Sequence, residues 1–174
     1  MVEVEYEWDF NPRDPDYADV QTSMVCFHRR YTIGDIQFDK SLEYDFQQSK
    51  WIKQNNNQSW QFDLEDYIIK EYDPAVWLPI YMLDHSGITI QTTPFYGGWD
   101  SGQIGYIFMT KETAREIYDI KRITKKYLHQ IEKWLKSEVE EYDRYLRGVK
   151  LVEREEAEEL ERQKICKEFD WRYY

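Results

Sequence analysis

"VWLPIYMLDHSGITIQTTPFYGGWDSGQIGYIFMT", residues 76–110, holds three apolar runs separated by two clusters of turn residues. Asp84, His85, Ser86 and Gly87 form the first cluster, and "YGGWDSG" (96–102) forms the second. Aspartate, serine and glycine are turn residues for backbone reasons, so the stretch reads as strand–turn–strand–turn–strand. The first run is nearly continuous, as in a buried central strand, although Pro79 lacks the N–H that a ladder needs.

Upstream, Val2, Val4, Tyr6 and Trp8 alternate with Glu3, Glu5, Glu7 and Asp9, the period-two pattern of a half-buried edge strand. "NPRDPDY" (11–17) is loop-like, "TSMVCFHRRYTI" (22–33) reads as a second strand closed by "GD", and "KQNNNQSW" (53–60) as a polar loop. "DLEDYIIKEY" (63–72) predicts a short helix opened by Asp63.

Downstream, Thr110 caps a helix through "KETAREIYDI" (111–120). Tyr127, Ile131, Trp134, Leu135, Val139, Tyr142 and Leu146 recur at three and four, predicting a long helix from Thr124 to Arg147 with one stripe on the core. Gly148 stops it. "VKLVEREEAEELERQKICKEF" (149–169) reads as one more, charged helix. The expected fold is α+β: an antiparallel sheet of about four to six strands, then two or three C-terminal helices. Residues 1–148 form the core domain, and 149–174 an acidic helical extension packed on it.

The chain's 174 residues suffice for one domain with a real core. Its net charge of −11 is concentrated at residues 1–20 and 132–161, which argues against extended nucleic-acid binding and for cationic partners. No apolar run approaches the roughly 20 residues of a membrane helix. The acidic start is unlike a secretory leader, and Cys26 and Cys166 show no framework spacing, so the expected setting is soluble and cytoplasmic.

A Ser-His-Asp set finds its residue types in Asp84, His85 and Ser86 with Asp100 and Ser101, but no "GxSxG" elbow surrounds Ser86 or Ser101. Cys26, His28 and His85 lack the close pairing that zinc ligands show, so no metal or other cofactor is expected. His28, Arg29 and Arg30, with Gln103, form a candidate anion or nucleotide site. Tyr96 and Trp99 on a glycine loop form a candidate recognition surface.

"TSMVCFHRRYTIGD", "WLPIYMLDHSGITIQTTPF", "WDSGQIGYIFMTKE" and "EVEEYDRYLRG" resemble, in the same order, blocks of an uncharacterised small-protein family of bacteriophages and prophages. The resemblance spans roughly residues 20–148, and the acidic ending departs from it. It implies a mobile-element origin and a bacterial cytoplasm, without an activity. Together with charge and aromatic content, it leads to the expectation of a non-enzymatic binding protein that inhibits a host defence nuclease of the anti-CRISPR or anti-restriction type. In that reading, carboxylates imitate phosphates in a basic groove. Glu3, Glu5, Glu7, Glu138, Glu140, Glu141, Glu153, Glu155 and Glu156 supply the charge, and Tyr96, Trp99, Trp171 and Tyr174 the apolar anchors. The alternative is a nucleotide or small-molecule binder, or an enzyme, whose pocket the HRRY, DHSG and WDSGQ segments build. A third is a virion or assembly component that self-associates.

Overall fold

The computed structural model describes residues 1–16, 18–28, 30–37, 60–97, 99–154, 156–161 and 164. The fold is α+β. In chain order its elements are β1 (Val2–Glu5), β2 (Ser23–Cys26), β3 (Ile36–Gln37), α1 (Trp60–Tyr72), β4 (Pro74–Asp84), β5 (Ile88–Gln91), β6 (Ser101–Thr110), α2 (Lys111–Ile117), α3 (Lys125–Arg147) and β7 (Val149–Val152). The polar loop expected at 53–59 lies outside the described residues. No described helix is long and apolar enough to cross a membrane.

A five-stranded sheet runs in the order β3-β2-β6-β4-β5, antiparallel throughout except for the two-residue β3, which lies parallel to β2. β6 is its middle strand, and Ile104 to Met109 are all buried because both faces are covered. Period two then sorts the side chains. Met24, Cys26, Ile107 and Met109 join Ile131, Leu135, Val139 and Tyr142 of α3 in one core. Val25, Tyr106 and Phe108 meet Leu64 and Ile68 of α1 in a second core on the other face. α1 begins at Trp60, three residues before the expected cap at Asp63.

Pro79 is tolerated inside β4 for a local reason. β5 pairs only with Tyr81 to Asp84, so the half of β4 that holds Pro79 has a strand partner on the β6 side alone. The ladder also slips between Ile80 and Tyr81, where Gly105 and Gln103 are their partners and Ile104 is the extra residue.

β2 ends at Cys26, earlier than the apolar run suggested. Gly34, at φ 84°, turns the chain back so closely that an added Cβ would lie 2.7 Å from the Met24 carbonyl oxygen. The Asp35 amide then donates to that oxygen at 3.0 Å, and the Gly34 amide donates to the Tyr142 hydroxyl at 3.2 Å. The Cys26 thiol is buried, and that burial together with the Asp35 charge pushes its pKa well above the ordinary range despite the opposing Arg13.

Both helix caps behave as the sequence implies. Thr110 accepts from the Thr113 amide at 3.1 Å, and Gly148 closes α3 in the left-handed region at φ 64°. Beyond Gly148 the chain departs from the expected helix. Val149 to Val152 form a strand that pairs antiparallel with β1, and helical residues begin only at Arg154. β1 is therefore half of a separate two-stranded sheet, not an edge of the main one. The Tyr6 amide donates to the Gly148 carbonyl at 2.8 Å, and Arg147 grips Glu3 through bonds of 2.8 and 2.9 Å. That grip holds the Glu3 carboxyl below the usual carboxylate range.

Candidate functional site

β2 and β4 each run antiparallel to β6, so the ends of β2 and β4 and the start of β6 lie at one end of the sheet. The turns leaving or entering those ends carry the HRRY, DHSG and WDSGQ segments. Two backbone bonds extend the pairing past the strands: Phe27 donates to Ile104 at 2.7 Å, and Asp84 to Asp100 at 2.9 Å. Between the segments lies a cleft of about 390 Å³, lined by Phe27, His28, Arg30, Met82, Asp84, Trp99, Asp100, Ser101, Gly102, Gln103 and Ile104.

One wall is a stack of planar groups. The His28 ring lies parallel to Tyr31 at 5.0 Å, and the Arg30 guanidinium sits 5.6 Å from the Tyr31 ring centre. Arg30 forms an ion pair with Asp84, and the Tyr31 hydroxyl donates to the same carboxylate at 3.3 Å. Asp84 thus fixes Arg30 and Tyr31, and its oxygens are engaged rather than offered to a proton in transit. On the other side, the Gln103 amide donates to the Gly105 carbonyl at 3.5 Å.

His85 occupies the DHSG turn, whose next residue, Ser86, is itself in the left-handed region at φ 58°. The His85 imidazole stands 3.4 Å from the Asp100 carboxylate, with both side chains more than half exposed, and it lies outside the cleft lining. An exposed pair at that distance holds the two turns together weakly and leaves the imidazole in water. Of the candidate catalytic residues, Asp84, Asp100 and Ser101 therefore line the cleft, while His85 does not. Among the described residues no three His, Cys, Asp or Glu side chains gather to hold a metal ion.

The aromatic loop is the most exposed part of the site. Trp99 lines the cleft, and both Trp99 and Tyr96 are wholly solvent-accessible. A solvated indole has no packing role to explain it, which makes it a recognition candidate. Arg29, Glu155, Trp171 and Tyr174 fall outside the described residues.

The acidic array needs a correction. Glu138 is not a free surface acid: its side chain is 17 % exposed and it pairs with the buried Arg13 and with Thr22. Glu3 is held by Arg147, Glu5 lies 3.2 Å from Lys164, and Glu156 lies 3.9 Å from Lys150. Glu140, Glu141 and Glu153 are exposed. Sequence reading missed Met82 and Ile104 as parts of the site. Phe27 and Tyr31 carried a signal as the two aromatic residues that flank the basic cluster in FHRRY.

Compared with models of protein families, with curated proteins and with solved structures, the chain matches none.

Proposed function

We propose that the chain is a non-enzymatic binding protein of phage or prophage origin that docks a host or phage protein through the sheet-end cleft and the loop bearing Tyr96 and Trp99. The observation that carries this reading is the convergence of three motif-bearing turns on one cleft with a fully exposed Trp99 at its edge. A core does not need that concentration of His, Arg, Asp and indole at one end of a sheet, whereas an interface anchored by a few aromatic and arginine side chains does. The net charge of −11 favours a partner with a basic surface, and a defence nuclease is the class that fits it.

Affinity capture from bacterial lysate at low and high salt tests the proposal. The wild-type protein retains a partner, and Tyr96→Ala/Trp99→Ala releases it, because each hot-spot aromatic is worth about 2 kcal/mol or more. Equal recovery by the double variant overturns the cleft as the docking surface.

A second reading has its own support. At about 390 Å³ the cleft falls within the range of roughly 300–1,000 Å³ for small-molecule sites. Beyond its ion pair with Asp84, Arg30 is more than half exposed. With Trp99 and Gln103 it offers a guanidinium, a stacking face and a polar amide, which suit the planar base of a nucleotide. This reading expects a nucleotide to raise the melting temperature of the wild type and not of Arg30→Ala. A nucleotide panel without any shift removes it.

A further inference from the structure

A second cavity lies between the loop after β1 and the face of α3. Trp134, Glu138 and Glu141 are spaced by four and three, so they share one stripe of that helix. Trp8, Phe10 and Asp19 face them from the loop, and the volume between them is about 280 Å³. That is near the lower limit, roughly 300 Å³, of ordinary ligand cavities and suits a single side chain.

Its charge balance is unusual. Arg13, 4 % exposed, lines the cavity, but its guanidinium is already taken by Asp35 at 2.7 Å, by Thr22 at 2.8 and 3.0 Å, and by Glu138. Burial alone would lower the Arg13 pKa. The hydrogen bonds and charges of Asp35 and Glu138 outweigh it and raise the value, so the group stays charged. One cation thus neutralises only one of its two carboxylates, which leaves the network negative. Glu141 has no ion-pair partner among the described residues, and Asp19 accepts only from Gln21 there. Both add to the excess at the cavity.

The walls are aromatic and one of them is fixed. The Trp8 indole donates to the Val149 carbonyl at 3.2 Å and packs edge-on against Tyr6 and Tyr145 at 5.8 and 5.9 Å. Indole rings and uncompensated carboxylates around a small volume are poor for an anion. They are also poor for a hard metal ion, which wants a shell of oxygens. They suit an organic cation, which gains from the ring quadrupole and the carboxylates together.

We infer that the cavity bounded by Trp8, Phe10, Trp134, Asp19 and Glu141 is a receptor for a guanidinium or alkylammonium group. The group is an arginine or lysine side chain presented by a protein, or a free cation of the same chemistry. The inference stands on observations separate from the sheet-end cleft and survives if that cleft proves inert.

The test tracks the Trp8 and Trp134 indole N–H resonances of the full chain by two-dimensional NMR. The probes are N-acetyl-arginine amide, its uncharged citrulline analogue, and a peptide with one central arginine. Arginine amide should shift both resonances saturably, more weakly at high salt, while the citrulline analogue has no effect. Glu141→Gln and Phe10→Ala alter exposed side chains and leave the fold intact. Each should weaken binding about fivefold, the loss of one water-edged charge or cation–π contact. Trp99→Ala should leave it unchanged. A peptide that binds at least about tenfold more tightly than the amide identifies a protein source. Equal binding of the two identifies a free cation. Absent shifts, equal shifts with citrulline, or indifference to both cavity variants overturn the inference.

Discussion

Arg13→Met should lower the unfolding free energy by about 3–5 kcal/mol, because removing one partner of a buried ion network leaves charge behind without compensation. Methionine matches the length of the arginine stem, so the loss is chiefly electrostatic. Asp35 would keep only the Met24 amide at 2.7 Å, and Glu138 only the Thr22 hydroxyl. Thr22 would lose the donors that now satisfy both its hydroxyl and its carbonyl. For a chain of this length about 2–4 °C accompanies each kcal/mol, so calorimetry should show a fall of about 10 °C. Adding Asp35→Asn and Glu138→Gln to Arg13→Met should recover part of the loss, since neutral amides tolerate the site better than orphaned carboxylates. A fall below about 1 kcal/mol would mean that the acids escape to water and the network contributes little.

Gly105→Ala should destabilise the fold by about 3 kcal/mol, the upper part of the range for overpacking a core. Gly105 sits in the middle strand opposite both Cys26 and Ile80. An added Cβ would lie 1.9 Å from the Val25 carbonyl oxygen and 2.8 Å from the Cys26 Cα. Both are backbone atoms held by the ladder, so no rotamer change relieves the contact, and β2 must move away from β6. Gly102→Ala on the same strand is the control: nothing lies within 4 Å of its added Cβ. Its stability should change by no more than about 0.5 kcal/mol. Comparable denaturation midpoints for the two variants would show that the β2–β6 approach is looser than these distances.

Elements whose burial is written in their own neighbourhood were readable in advance. The three-four spacing of Ile131, Leu135, Val139 and Tyr142 marks the helix that covers one face of the sheet. Of the apolar runs, however, it is 76–83 that reads as the buried central strand, whereas the middle strand is β6, with Ile104 to Met109 all buried and most of β4 only half-buried. "VKLV" carried no such mark. It comes after a helix-terminating glycine and before a run of glutamates, so helix was the local reading, and its partner β1 lies far away in sequence. The site divides in the same way. Turn chemistry in DHSG and WDSGQ was legible, but their meeting with HRRY depends on β6 lying between β2 and β4, and strand order is not a local property. Period and composition were also silent on which acids face inward. Glu138 and Glu141 are both helix glutamates three apart, and only the distant Arg13 separates their fates. The "YTIGD" and "EEYDRYL" stretches, read alongside the motif blocks, serve the core. Gly34 donates to Tyr142, and Asp143 accepts from the Ile90 amide at 2.7 Å and from Arg147 at 2.8 Å.

The joining of β1 to β7 has a consequence in time. Glu3 and its clamp Arg147 are 144 positions apart, and at about 5–20 residues per second the ribosome needs on the order of ten seconds to make the second after the first. β1 thus waits that long for the strand it pairs with. Until then its valines and aromatic residues travel unpaired, and the glutamates between them, at Glu3, Glu5 and Glu7, are the residues that keep such an edge from recruiting the wrong strand.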